Sequence, residues 1–222
     1  PAATSRGIAV AFTPSDSGTS TVELTWGLIL SLMRRIPEVD RRMRQEPWPP
    51  VAGRLVEGKT IGVIGLGRIG KQVTRIAKAF KARVLATGRT LTEERAREVG
   101  AEAVSLETLL RESDIVTIHV PLRPETRGLI GEKEIALMKR GAILINTARG
   151  PIVSQAALFE ALQTGHLGGA GLDVFDEEPL PMDHPLRRLD NVVLLSHRGY
   201  ATVEILRERY QQAMENILNF LD

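Results

Sequence analysis

Short apolar runs alternate with amphipathic stretches along most of this chain. Residues 60–64 form an apolar run of the kind buried on both faces of a parallel sheet. After it, Ile69, Val73, Ile76, Ala77 and Phe80 recur at helical spacing. Further runs at 83–87, 102–104, 114–120, 141–146, 170–174 and 192–195 predict six more strands. Between them, Thr90 and Glu93 have capping-box spacing, which predicts a helix from there to about Gly100. A short helix is expected over 106–110, and Ser154 caps another that reaches Gln163 and ends at Gly165. This order predicts an α/β fold: a Rossmann-type doubly wound parallel sheet, covered on both faces, with right-handed crossovers.

The flanks read differently. Residues 8–12 (Ile-Ala-Val-Ala-Phe) predict a short buried strand ended by Thr13-Pro14, and Asp16, Ser17, Gly18 and Thr19 a turn. Val22, Trp26, Ile29, Leu30 and Met33 mark an amphipathic helix over 21–36, stopped before Pro37. Arg41-Arg42-Met43-Arg44 reads as a solvated loop, and Pro47-Trp48-Pro49-Pro50 as an extended arm against another surface. A last helix carries Val203, Leu206, Tyr210, Ala213, Ile217 and Leu221 on one stripe.

Gly65, Gly67 and Gly70 give the strand-to-helix turn at 59–80 a G-x-G-x-x-G spacing. In a dinucleotide site the first glycine allows the tight turn and the second lets a pyrophosphate approach the backbone. The third lets the helix pack close to the strand. The helix N-terminus then offers free N–H groups and a positive dipole end. Composition narrows the partners. The chain is 43% apolar and 25% charged, with a formal net charge of +2 and its basic residues dispersed, so no nucleic-acid footprint is evident. The lack of cysteine excludes disulfides and thiolate metal sites, and no metal site is expected. No apolar run approaches the roughly 20 residues of a membrane span. A cytoplasmic protein with a small-molecule ligand is the expectation.

Three polar clusters fall just after predicted strands, at the carboxyl edge where such sheets bind ligands. They are Asn146-Thr147-Ala148-Arg149-Gly150, the run from Asp173 to Pro179, and Ser196-His197-Arg198-Gly199-Tyr200. An arginine at the first could fork onto a carboxylate. With the glycine loop, His119-Val120-Pro121-Leu122, Gly171-Leu172-Asp173-Val174 and Glu178-Pro179, these clusters resemble the D-isomer-specific 2-hydroxyacid dehydrogenases, in order and in spacing. The resemblance implies hydride transfer between NAD(P)H and a small 2-oxo or D-2-hydroxy acid. It implies that Arg149 binds the substrate carboxylate and carbonyl, that His197 is the general acid and base, and that Glu178 is its partner. Asp173 would face the nicotinamide carboxamide. Arg68, Ile69, Val120, Pro121, Thr147, Ala148 and Gly199 would line the cofactor, and His119 would be structural.

The resemblance also implies a domain plan. Residues 1–18 would be a remnant of a substrate domain and 19–53 an interdomain helix and arm, of which the helix over 21–36 and the arm over 47–50 would form a homodimer interface. Residues 54–200 would bind the dinucleotide, and 201–222 would return to the substrate domain. The chain begins with Pro1 and is expected to be a fragment, poorly soluble and nearly inactive alone. It departs from the family pattern at Arg198, where an aliphatic residue is usual. It departs again at the end of the second strand, where Gly88, followed by Arg89 and Thr90, occupies the position of the acid that takes the ribose hydroxyls. Without that carboxylate and with a guanidinium adjacent, NADP is favoured over NAD. Two other readings compete: a dinucleotide-sensing, corepressor-like binding module, and a catalytically incompetent fragment.

Overall fold

The computed structural model describes residues 2–14 and 18–221. Seven parallel strands form one sheet: β1 (Thr60–Ile64), β2 (Arg83–Thr87), β3 (Glu102–Ala103), β4 (Ile115–Ile118), β5 (Ile143–Asn146), β6 (Gly169–Leu172) and β7 (Val192–Leu194). Their order is β3-β2-β1-β4-β5-β6-β7, so the direction of winding reverses between β1 and β4. On one face lie α1 (Thr19–Met33), α3 (Arg68–Ala79) and α4 (Glu93–Arg97). The other face carries α5 (Leu106–Glu112), α6 (Glu132–Leu137) and α7 (Gln155–Gln163). The chain crosses from the first face to the second after β3, which is what doubly wound means in physical terms.

The strands alternate between two cores with the two-residue period of an extended chain. Ile61, Val63, Val84, Ala86, Ile115, Ile143 and Ile145 face the first layer. Ile64, Leu85, Val116, Ile118, Leu144 and Leu172 face the second. Gly62 sits opposite α5: a Cβ there would lie 2.4 Å from Leu109 Cδ2, so the missing side chain sets how closely α5 approaches β1. On the first face, Trp26 of α1 stacks on Phe80 just beyond α3, centroids 4.9 Å apart at 17°. Trp48, by contrast, is 83% exposed.

Several expectations need correction. Residues 8–12 form no strand, and Ile8, Val10 and Phe12 are exposed. Apolar composition predicted burial, but no strand of the sheet runs beside this segment. It lies instead near α8 (Val203–Leu221), where Asn216 Nδ2 donates to the Phe12 carbonyl at 3.2 Å. Of the expected turn, Asp16 and Ser17 lie outside the described residues, and Gly18 precedes α1 in a left-handed conformation, φ 80°. The first helix ends at Met33, not at residue 36, and Arg35 turns left-handed with φ 54°. The Arg41–Arg44 stretch is not a loop for the most part: α2 (Ile36–Met43) includes it up to Met43, with Pro37 in its first turn, where no N–H is required. Ion pairs at helical spacing, Arg42 with Glu46 and Arg44 with Asp40, support this helix. Thr92, not Thr90, caps α4, accepting from the Arg95 N–H at 3.3 Å. The α6 helix, six residues long, was too short to show a period.

On the α8 stripe Val203, Tyr210, Ile217 and Leu221 are exposed, while Leu206 and Ala213 are half-buried. The contrast with the sheet layers is measurable. Leu109→Ala, at a fully buried site, should cost about 2–5 kcal/mol in urea unfolding. Ile217→Ala in the same chain should stay within about 0.5 kcal/mol.

Candidate active site

β1 delivers the chain into the glycine turn. Gly65 has φ 100°, and a Cβ there would lie 2.7 Å from the His119 carbonyl oxygen. At Gly70 a Cβ would lie 2.2 Å from the Gly65 carbonyl oxygen, so this glycine fixes the contact between α3 and the turn. Gly67 faces open space: nothing lies within 4 Å of its missing Cβ. It precedes α3 without a side-chain cap, which leaves the first N–H groups of the helix aimed outward. Two glycines close the turn and the third opens it, as a pyrophosphate requires, so these residues fit a dinucleotide.

A groove of about 590 Å³ continues from this turn, lined by Gly65, Gly67, Gly88, Arg89, Thr90, Val120 and Pro121. No carboxylate projects from the end of β2. Glu93 pairs with Arg97 at 2.6 Å and plays no part in the groove. Arg95 also lines it, with Nη1 donating to the Thr90 carbonyl at 2.9 Å. The sequence reading missed Arg95, because its position depends on where α4 begins. His119 closes the inner end: its Nε2 lies 2.9 Å from Thr117 Oγ1, and burial lowers its pKa to about 4. A neutral ring at physiological pH agrees with a structural histidine.

The loops after β5, β6 and β7 meet one another at the carboxyl edge of the sheet, the edge that also carries the glycine turn. Asn146, 1% exposed, shapes the first, donating from Nδ2 to the Arg149 carbonyl at 2.9 Å and accepting the Ala148 N–H at 3.0 Å. Gly150 permits close contact with the next loop, since a Cβ would lie 2.0 Å from the Phe175 carbonyl carbon. Asp173, also 1% exposed, accepts the Arg198 N–H on Oδ1 at 2.6 Å and the Gly199 N–H on Oδ2 at 2.8 Å. Burial raises its pKa, against the two N–H groups that favour the carboxylate. The sequence reading assigned Asp173 to the cofactor alone; here its carboxylate holds the last loop.

That loop carries His197 in the left-handed region, φ 56°. Its Nδ1 lies 2.7 Å from Glu178 Oε2, and Glu178 Oε1 accepts the Phe175 N–H at 2.9 Å. Burial pulls the Glu178 pKa up, but His197, the Phe175 N–H and the charge of Arg149 outweigh it, and the net shift is down. The carboxylate therefore stays ionised beside the imidazole. Arg149 is exposed at the same edge, with Nη1 on the Ala148 carbonyl. A second feature the sequence hid is a set of hydroxyls on α1. Thr25 Oγ1 donates to the Thr21 carbonyl at 2.8 Å and lies 3.1 Å from Thr147 Oγ1, while Thr21 Oγ1 donates to the Gly199 carbonyl at 2.9 Å. One helix thus ties down two of the three loops.

A glycine-turn Rossmann sheet with a His–Glu pair and an exposed arginine at its carboxyl edge defines a dinucleotide-dependent oxidoreductase. Residues 26–199 match the D-isomer specific 2-hydroxyacid dehydrogenase, NAD binding domain. The glyoxylate reductase of Aeropyrum pernix is 47% identical, over 98% of this chain and 68% of that protein. The D-3-phosphoglycerate dehydrogenase of Methanocaldococcus jannaschii is 45% identical, over 91% of this chain and 39% of its own length. Among solved structures, D-lactate dehydrogenase from Aquifex aeolicus, complexed with NAD and lactic acid, superposes with a TM-score of 0.85 at 34% identity, over 99% of this chain and 71% of that one. The chain belongs to the D-isomer specific 2-hydroxyacid dehydrogenase family. Its chemistry is NAD(P)-dependent oxidoreduction of 2-hydroxy and 2-oxo acids.

The glycine turn provides a direct test. Gly70→Ala must move α3 or the turn, because the atom it would meet is backbone. Dinucleotide affinity, followed by fluorescence titration, should fall at least tenfold, while circular dichroism keeps the α/β signature.

Proposed function

We propose that the protein reduces a small 2-oxo acid, with Arg149, Glu178 and His197 as its catalytic group. The observation that carries this reading is the 2.7 Å His197–Glu178 contact on the loop anchored by Asp173, at the same carboxyl edge as the glycine turn. When bound, the nicotinamide supplies or accepts the hydride. His197 donates the proton that the forming alkoxide needs, through the ring nitrogen not held by Glu178. Glu178 fixes the orientation of the ring through its contact with Nδ1. Arg149 takes the substrate carboxylate in a two-point grip and polarises the carbonyl. Residues 54–200 then act as the dinucleotide-binding domain, with 1–18 and 201–222 belonging to a substrate domain and 19–53 joining the two. A homodimer through the 21–36 stretch and the 47–50 arm completes this reading, supported by exposed Ile36 and Trp48 and measurable by sedimentation.

The trio is tested in the full-length protein with glyoxylate and hydroxypyruvate as substrates. His197→Ala should lower kcat by about 10² to 10⁴ with dinucleotide binding retained. In Glu178→Gln kcat should fall with dinucleotide affinity unchanged, because the ring loses the ionised partner that orients it. The double variant should lose much less than the product of the two single losses. Arg149→Lys keeps the charge without the planar fork, so KM should rise and kcat fall together. A His197→Ala protein with parental kcat and pH profile would remove this mechanism.

NADP is the favoured cofactor. Gly88 removes repulsion against a 2′-phosphate, and Arg89 and Arg95 line the groove where that phosphate would lie. Arg89→Ala should lower the ratio of NADPH to NADH efficiency by about 10- to 100-fold, the worth of a charge-assisted hydrogen bond. An unchanged ratio would return the preference to NAD.

A further inference from the structure

Beside the His197–Glu178 pair is a cavity of about 570 Å³, walled by Leu180 and Leu194 and carrying two guanidinium groups, Arg187 and Arg198. Arg187 is held in place by carbonyl oxygens: Nε donates to Pro181 and Nη2 to Leu180, both at 2.8 Å. Arg198 is fixed at its backbone by Asp173, and its Nε donates to Ser196 Oγ at 3.2 Å. Carbonyls and a hydroxyl satisfy donors without cancelling charge. Among the described residues, neither arginine forms an ion pair with a carboxylate, and the one acid lining the cavity, Glu178, is engaged with His197. The space next to the imidazole therefore carries net positive charge, on Arg187 held by two carbonyls and on the exposed side chain of Arg198.

A 2-oxo acid has one carboxylate, and the proposed reaction places it on Arg149. That leaves the cationic cavity for the other end of the molecule. We infer that Arg198 is a specificity-determining residue that selects a 2-oxo acid bearing a second anionic group, a phosphate or a carboxylate, on its tail. This rests on the function proposed above and names its substrate class. The planar fork of Arg198 has its two Nη groups to offer such a group, and Arg187 supplies a second positive charge in the same cavity. An aliphatic residue at position 198 would leave Arg187 as the only cation there.

The test compares, in the full-length protein, kcat/KM for hydroxypyruvate, whose tail is uncharged, with phosphohydroxypyruvate and oxaloacetate, whose tails carry a phosphate and a carboxylate. The parent should favour one of the anionic tails, and which one identifies the group. Arg198→Leu should lower the ratio of anionic-tail to hydroxypyruvate efficiency by about 10- to 100-fold. Arg198→Lys should restore part of it, and hydroxypyruvate turnover in each variant reports that the protein is folded. A variant without hydroxypyruvate turnover would be replaced by Arg198→Gln, which keeps a polar stem of similar shape. If the parent reduces hydroxypyruvate but neither anionic substrate, or if the ratio is unchanged by the substitution, the inference falls and the proposed function stands. If the parent reduces none of the three acids or glyoxylate, the proposed function fails and the inference with it.

Discussion

Asp173 is the constraint on which the carboxyl edge of the sheet depends. A carboxylate taken from water is costly unless donors meet it. Here two consecutive backbone N–H groups do so, and the Asp173 carbonyl also accepts the His197 N–H at 2.8 Å. Three hydrogen bonds from three consecutive residues leave the 197–199 turn little freedom. His197 needs that restraint, since a left-handed conformation costs a non-glycine residue about 1–3 kcal/mol. Each hydrogen bond to a charged group contributes about 1.5–3 kcal/mol, enough to offset the strain. The ring is thereby presented to Glu178 by the backbone rather than by its own rotamer.

The sheet supplies the frame for this turn. Strands buried on both faces cannot shift register without exchanging their two apolar sets, so the carboxyl ends of β5, β6 and β7 keep fixed relative heights. The loops above them are joined by small residues, not bulky ones. Gly150 lets two loops touch, and the α1 hydroxyls link the loops that carry Thr147 and Gly199. Deep apolar layers and short polar links thus act in series: the first fixes the strands, the second fixes what the strands present.

What could be seen in the sequence follows the same division. Runs such as 143–146 were legible because burial on both faces leaves a continuous apolar signal. Boundaries were less so. The fourth strand was expected over 114–120, yet Asp114 turns its carboxylate to the Thr60 N–H at 2.9 Å, and the chain leaves the sheet at His119 to line the groove. The 8–12 segment failed because apolar composition encodes a need for cover without naming what covers it. The α2 helix failed because its support is ion pairs, which a hydrophobic period does not register. Glu178 and His197 were found through family resemblance. Their contact depends on a left-handed residue and on hydrogen bonds between loops, and none of these leaves a local signature. Thr21 and Thr25 looked like ordinary polar positions of a helix, since a hydroxyl shows its partner only once the sheet has brought it near.

The two tryptophans have a consequence of another kind. Trp26 is stacked on Phe80 inside the first helical layer, and Trp48 stands in solvent on the proline-rich arm. Under ultraviolet excitation the first ring emits from an apolar, rigid setting toward the blue, and the second from water toward the red. Iodide reaches only the second. The intrinsic emission of the protein is therefore two signals in one spectrum. The blue component follows the packing of α1 against the sheet, on the same helix that holds the loops of Thr147 and Gly199. The red component follows whatever comes to lie against the arm.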